Sequence, residues 1–450
     1  MDLRKLTVLA ALASSLAGAS WFQADEEDFR VFTEHPRLFL QLRRLRLLGR
    51  EKERQSLRWQ QFQQLMEGNA QWPEPGFAKA LYSQISGEET PCREAVRWAL
   101  APGADLRQAA IVFDWCQPVL TRENSEALAS LLERGMAAAR GKPGVPAARD
   151  RVLAAIVLAG HRPEVPEREL RSAVQNWWRG QIVPAMAGGR DALPRDETLA
   201  LFEILHAVRD NLNLDLRDPL QAHFRDLPYS LLLSYYPGAY PAAENEYYIP
   251  ATGGGGPPDL RRAALARAGD LCLAAYDSNA QGNQFLQGWL IRDMLLMRGA
   301  FGIVYEFLWA NPYLPGLSYF HTPPFFHDQR LGRLYVRSSW DDEAAWLGFR
   351  EGELQVFNQS GLNIVKAQPA SKPLRLGQVA VVVTQGAGTY KLQETDLQQV
   401  FLLGLRPGRT YEVKAGEEKV ILATADPGGI IGLPADEKGP FAIRIRETRQ

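Results

Sequence analysis

The spacing of apolar residues changes period once along this chain, and that change constrains the fold more than any single motif. Across residues 35–297 the spacing is helical, in short amphipathic stretches separated by Pro and Gly. Leu106, Ala109, Ala110, Phe113, Cys116 and Leu120 follow the i, i+3, i+4, i+7 rule of a buried stripe, and Thr121 then caps the next helix. Comparable helices are expected over 36–66, 123–139, 149–158, 166–186, 195–213, 260–275 and 283–309. No strand signal separates them, which predicts stacked helix hairpins, as in a solenoid or toroid. After the proline-rich connector 311–324 the period becomes two. Alternating, β-branched segments begin at Arg333, Ala345, Leu354, Gln378, Val400, Thr410, Val420 and Phe441, with Gly and Pro turns between them. That tail predicts an antiparallel β-sandwich.

Length agrees with two units, because a single core stops growing at roughly 250 to 300 residues and this chain has 450. The expected division is 1–19, 30–315 and 330–450. The first piece has the order of a secretory signal: Arg4 and Lys5, an apolar run from Leu6 to Leu16, then Ala17, Gly18 and Ala19. The run is about half the ~20 residues of a spanning helix, so export of a soluble chain beginning near Ser20 is expected rather than a permanent span. With 51 Lys+Arg against 52 Asp+Glu, the chain lacks the basic excess that nucleic acid demands. The cysteines Cys92, Cys116 and Cys272 have no metal-ligand spacing, and no metal or cofactor is expected. In an oxidising compartment Cys92 and Cys116 could pair if their helices are neighbours; three buried thiols are the other reading.

Three strings, in order, resemble the heparinase II/III-like group. They are Glu34-His35-Pro36-Arg37-Leu38-Phe39-Leu40, the stretch from Asp105 to Cys116, and the stretch from Arg337 to Gly352 with Trp340 and Trp346. The resemblance implies an exported polysaccharide lyase fold, an α + β multidomain chain with an N-terminal (α/α) toroid followed by a C-terminal antiparallel β-sandwich. It implies an acidic, uronate-containing polysaccharide as partner. The chain departs from the family where the chemistry lies. Related lyases carry a His-x-His-x-Asp-x-Asn string, and here Phe357, Gln359 and Gly361 replace its His, His and Asp, with only Asn363 kept. Phe and Gly neither ligate a metal nor move a proton, and Gln is not a base.

β-Elimination from a uronate needs a group that neutralises the carboxylate, a base and an acid. Two segments offer candidates. One holds Tyr235, Tyr236, Tyr240, Glu244, Glu246, Tyr247 and Tyr248 in a Pro-punctuated loop before four glycines; Tyr240 or Tyr247 is the candidate acid, and the alternative is that the tyrosines cover a helix end. The other is the helix of 195–214, where Glu203, His206, Asp210 and Asn213 share a face opposite Leu201, Leu205, Val208 and Leu212. There His206 is the candidate base, oriented by Asp210; a solvated face carrying a histidine is the alternative. In the connector and first β hairpin, His327, Arg337 and Trp340 are candidates for holding an acidic sugar by charge and stacking, against plain interface packing. Three functions follow: an active lyase, a glycan-binding protein with degenerate catalysis, or a structural or assembly protein of the cell envelope that docks through the stretch 401–413.

Overall fold

The computed structural model describes residues 27–162, 164–240, 247–251, 259–293, 295, 299–358, 361–370, 372–393, 396–416, 420–435 and 440–448. The signal stretch and the acids Glu244 and Glu246 lie outside them, as does Gln359.

Among the described residues the first part is helical: α1 (Leu42–Glu53), α2 (Leu57–Glu67), α3 (Pro75–Ser86), α4 (Glu89–Ala99), α5 (Leu106–Trp115), α6 (Arg122–Ala139) and α7 (Val145–Leu158). It continues with α8 (Val165–Arg171, which runs on through wide π turns over Ser172–Ile182), α9 (Thr198–Leu212), α10 (Gln221–Leu233), α11 (Leu260–Tyr276), α12 (Gln281–Leu290) and α13 (Gly299–Trp309). Alternate helices form a closed inner ring: α3 packs on α5, α5 on α7, α7 on α9, α9 on α11, α11 on α13, and α13 returns to α3. The intervening helices lie outside it, most of them against their sequence neighbours, whereas α10 packs on α12. The hairpins therefore close into a toroid.

Inner helices run parallel, as their contacts show. Gly76 N–H at the start of α3 donates to Gln108 at the start of α5, and Val145 N–H at the start of α7 donates to Glu197 just ahead of α9. Inner helices are buried on every side, so the sequence stripe understates them: Arg107, Gln108 and Asp114 of α5 are as hidden as Ala109 and Phe113. Small residues permit the close packing. A Cβ on Gly269 of α11 would stand 2.9 Å from the Leu199 backbone nitrogen of α9.

One expected irregular segment is regular. The tyrosine-rich stretch forms a hairpin, β1 (Tyr235–Tyr240) paired with β2 (Tyr247–Pro250), with Tyr240 opposite Tyr247. The β part then follows in three stacked sheets. The first, in order, is β3 (Phe325–Asp328), β4 (Arg333–Arg337), β5 (Trp346–Arg350), β6 (Glu353–Asn358) and β7 (Gly361–Lys366). The remaining strands are β8 (Leu374–Leu376), β9 (Val379–Val383), β10 (Ala387–Leu392), β11 (Gln399–Leu403), β12 (Thr410–Ala415), β13 (Ile421–Thr424), β14 (Ile431–Pro434) and β15 (Phe441–Glu447). They form a middle sheet of order β14-β11-β9-β8 and an outer sheet of order β10-β15-β12-β13.

The α + β class and the helices-then-sheets order read from the sequence hold, with two refinements. The stack has a third sheet, and β9 pairs with β11 in parallel. Both have one cause. The middle sheet is covered on both faces, by Leu334, Leu347 and Phe349 on one side and Tyr390, Tyr411 and Ile443 on the other. Its strands are therefore continuous apolar runs, such as Val379-Ala380-Val381-Val382-Val383, instead of alternating ones. The first sheet turns its other face to the toroid, where Tyr335, Trp340 and Trp346 join the helical core.

Candidate functional site

Most of the residues singled out from sequence fall in three places. The first is the inside of the ring. Glu203 is fully buried on α9, and Arg107 donates to it from Nε at 2.9 and 3.0 Å and from Nη2 at 2.6 Å, with Arg149 at 3.4 Å. Glu203 therefore does not present itself to a ligand beside His206; it balances two guanidiniums within the ring.

The second place is a cavity of about 450 Å3 at the C-terminal ends of the inner helices. His206 and Asp210 both line it, as the shared helical face implies, together with Arg43, Arg44 and Arg50 of α1, Arg209, Tyr276 and Tyr313. His206 is buried. Its Nε2 lies 3.0 Å from the Cys272 carbonyl, which fixes that nitrogen as the N–H, so Nδ1 is the acceptor facing Arg209 Nη2 at 3.3 Å. Burial pushes its pKa well below the ordinary value, and the charges of Arg44 and Arg209 add to that push. Arg209 also donates from Nε to Asp210 at 3.1 Å and from Nη1 to the Tyr276 carbonyl at 2.7 Å. Burial raises the Asp210 carboxyl against the opposing pull of Arg209.

The third place is the junction of ring and first sheet. There β1 and β2 carry the tyrosines, while Arg337 ends β4 and Trp340 follows it. The Tyr235 hydroxyl donates to Asp270 at 2.6 Å, and Arg195 reaches both, at 3.1 and 2.9 Å. The Tyr235 ring meets Trp289 at 4.4 Å between centroids, Trp289 meets Tyr248 at 5.5 Å, and the Arg292 guanidinium lies 4.5 Å over the Tyr248 ring. Arg292 then bridges to Asp342 of the first sheet at 2.9 Å. Arg337 is 1% exposed and held by the Ser339 and Asp341 carbonyls, 5.0 Å from the Trp340 ring. Burial lowers its pKa to about 10, and the nearby charge of Arg292 works in the same direction. Tyr240, at 42% exposure, stands at the end of β1, opposite Tyr247, where the hairpin's connection begins.

Two expectations are corrected here. His327 does not reach the junction: it sits within the β stack, its Nε2 2.7 Å from Asp426 and its ring against Phe401. Candidate base and candidate acid also do not converge. Tyr247 packs on Ala263 and Ala264 at the start of α11, whereas His206 meets the Cys272 carbonyl near its end. Nine residues at ~1.5 Å each put these contact points roughly 14 Å apart along the helix.

Phe357, at the first position of the degenerate string, explains part of that arrangement. Its ring stacks on Tyr236 at 5.3 Å, and Tyr236 in turn donates its hydroxyl to Gln355 at 3.0 Å. Phe357 thus fastens the hairpin to the first sheet. Sequence reasoning missed Arg195, Trp289 and Arg292, which carry no motif, and the three arginines of α1. A signal for the last existed: Arg43 and Arg50 are seven residues apart, two turns along one face of a helix. Among the described residues no group of His, Cys, Asp and Glu could hold a metal, and no helix is long and apolar enough to cross a membrane.

No protein-family model and no curated protein matches the chain. Among solved structures it is similar to heparan sulfate lyase HepC from Pedobacter heparinus, at 10% identity and TM-score 0.37, over 83% of this chain and 75% of that one. It is also similar to a glycoside hydrolase, at 8% identity and TM-score 0.29, over 83% of this chain and 71% of that one. Both superpositions are loose, and the architecture rests on the chain's own ring closure and sheet order.

Proposed function

We propose that this chain is an exported carbohydrate-binding protein that engages an acidic, uronate-containing polysaccharide at the junction of ring and first sheet, without β-eliminating it. The observation that carries the reading is the pair Tyr248 and Arg292, both half-buried, with the guanidinium 4.5 Å over the ring, backed edge-on by the buried Trp289 and beside the buried charge of Arg337. Aromatic faces suit the apolar face of a pyranose, and guanidinium suits a carboxylate. The separation of His206 from Tyr240 and Tyr247, and the packing role of Phe357, support binding over elimination. Export is supported by the Cys92–Cys116 disulfide, a bond that persists in oxidising compartments.

The test is a panel of acidic and neutral polysaccharides, with retention and unsaturated-product absorbance read together. Expected are retention on acidic members, a fall of at least tenfold with Arg292→Ala or Tyr248→Ala, and no absorbance. Retention on none of them would remove the binding reading, and absorbance would restore the lyase.

An assembly role in the envelope is the second reading. The stretch 401–413 does not favour it, because Phe401, Leu402 and Leu403 are buried between sheets. What favours it is the edge strand β13, where Ile421 and Leu422 are 46 and 69% exposed, with Val420 just before it at 47%. Co-purification that loses a partner on Leu422→Lys would support it.

A further inference from the structure

The cavity at the C-terminal end of the ring lies away from the junction and takes no part in the reading above. Its volume, about 450 Å3, is in the range that holds a small ligand. Four arginines line it, Arg43, Arg44, Arg50 and Arg209, against two carboxylates, Asp210 and Asp277. Histidine adds no charge, since burial holds His206 neutral.

The arginines divide into two pairs. Arg44 and Arg209 are structural. Arg44 donates to the carbonyls of Leu308 and Trp309 at the end of α13, and Arg209 donates to the Tyr276 carbonyl at the end of α11. Each caps the negative end of an inner helix. Arg43 and Arg50 have no such task. Both are exposed on one face of α1, and among the described residues neither reaches a carboxylate within ion-pair distance. Arg50 lies 5.8 Å over the Tyr313 ring, which also lines the cavity and is itself 46% exposed.

A capping role accounts for two guanidiniums and leaves two more facing the same space, where like charges repel. An anion placed among them removes that repulsion and meets donors in the fork geometry that carboxylate and sulfate fit. Ser278, Asn279 and Asn311 supply hydrogen-bonding groups around the rim, and Tyr313 supplies a ring face. We infer that this cavity is a second, separate binding site for one acidic sugar unit, with Arg43 and Arg50 gripping its carboxylate or sulfate and Tyr313 supporting its ring.

The test uses the full chain and calorimetry at low salt, with glucuronate, glucose and inorganic sulfate as probes. Glucuronate is expected to bind saturably, and Arg43→Ser with Arg50→Ser to weaken it at least tenfold. A charge-matched control, Arg97→Ser with Arg122→Ser on the outer helices, should bind as the parent does. Thermal melting checks that the exposed substitutions leave the fold intact. Absence of glucuronate binding, or binding that the Arg43/Arg50 variant retains, would overturn the site while leaving the junction reading standing. Glucose binding as tightly as glucuronate would overturn the charge argument. Sulfate doing so would reduce the site to a bare anion pocket and overturn the sugar assignment.

Discussion

Arg209 stands between His206 and Asp210, donating from Nε to the carboxylate at 3.1 Å and turning Nη2 to the imidazole at 3.3 Å. A histidine and an aspartate one helical turn apart look like a base and its orienter. In place they are two clients of the same guanidinium, and the histidine's lone pair faces a cation.

Acid should therefore weaken the fold through its histidines. Burial depresses His206 strongly and brings His223 to about 4. A folded pKa below the unfolded value of ~6.5 means that the unfolded chain binds more protons, so stability is complete above pH 6.5 and falls as pH drops toward 4. For His223 alone the loss is up to about 3 kcal/mol at ~1.4 kcal/mol per unit. Urea unfolding at pH 7 and pH 4.5 measures it, and His223→Gln should flatten the profile; an unchanged slope in that variant would refute the assignment.

Glu203→Ala should be severely destabilising. It leaves Arg107, 2% exposed, without its main partner, and breaking such a pair costs about 3 to 5 kcal/mol. Replacing both residues, Arg107→Met with Glu203→Leu, should recover much of the loss. Equal melting temperatures for single and double variants would argue against the pair.

Cys92 and Cys116 are 24 positions apart and bonded, whereas Cys272 is free and buried. The loop-closure relation predicts a loss of about 3 kcal/mol for Cys92→Ser with Cys116→Ser. A non-reducing peptide map should link the first two and find Cys272 as a thiol only after unfolding.

Trp346 joins the two parts of the molecule. It is fully buried on β5, its indole N–H donates to the Leu233 carbonyl at the end of α10 at 2.8 Å, and its ring meets Tyr236. Trp346→Ala should cost about 3 to 5 kcal/mol and expose the connector to protease. A single unchanged melting transition with the parent's cleavage pattern would contradict this docking role.

Much of the architecture was legible because secondary structure follows local period. The expected strands at Arg333, Leu354, Val400, Thr410 and Phe441 are present, and Thr121 caps α6 as its position implied, accepting from Asn124 N–H at 3.1 Å. Helices α3, α4 and α10 escaped notice. The first is buried nearly all round, from Phe77 to Ile85, so it has no polar face to mark a period, and α10 contains Pro228. The β1–β2 hairpin was hidden by prolines that ordinarily signal loops. Of the candidate site residues, His206 and Asp210 do share a cavity, and Tyr248, Arg337 and Trp340 do gather at one junction. Their partners Arg195, Trp289 and Arg292 come from distant segments that no local pattern connects.

The sequence by itself determined the order of the two parts and the helical and alternating periods, because each is a property of neighbouring residues. Tertiary structure decided what the polar groups do. Ring closure buried Glu203 against Arg107, stacking of the middle sheet on the first drew His327 to Asp426, and the run of α11 held His206 apart from Tyr247. Burial and charge partners are set by segments remote in the chain, so the same residue types that spell a catalytic site in sequence became struts in space, and unmarked arginines were left facing the cavities.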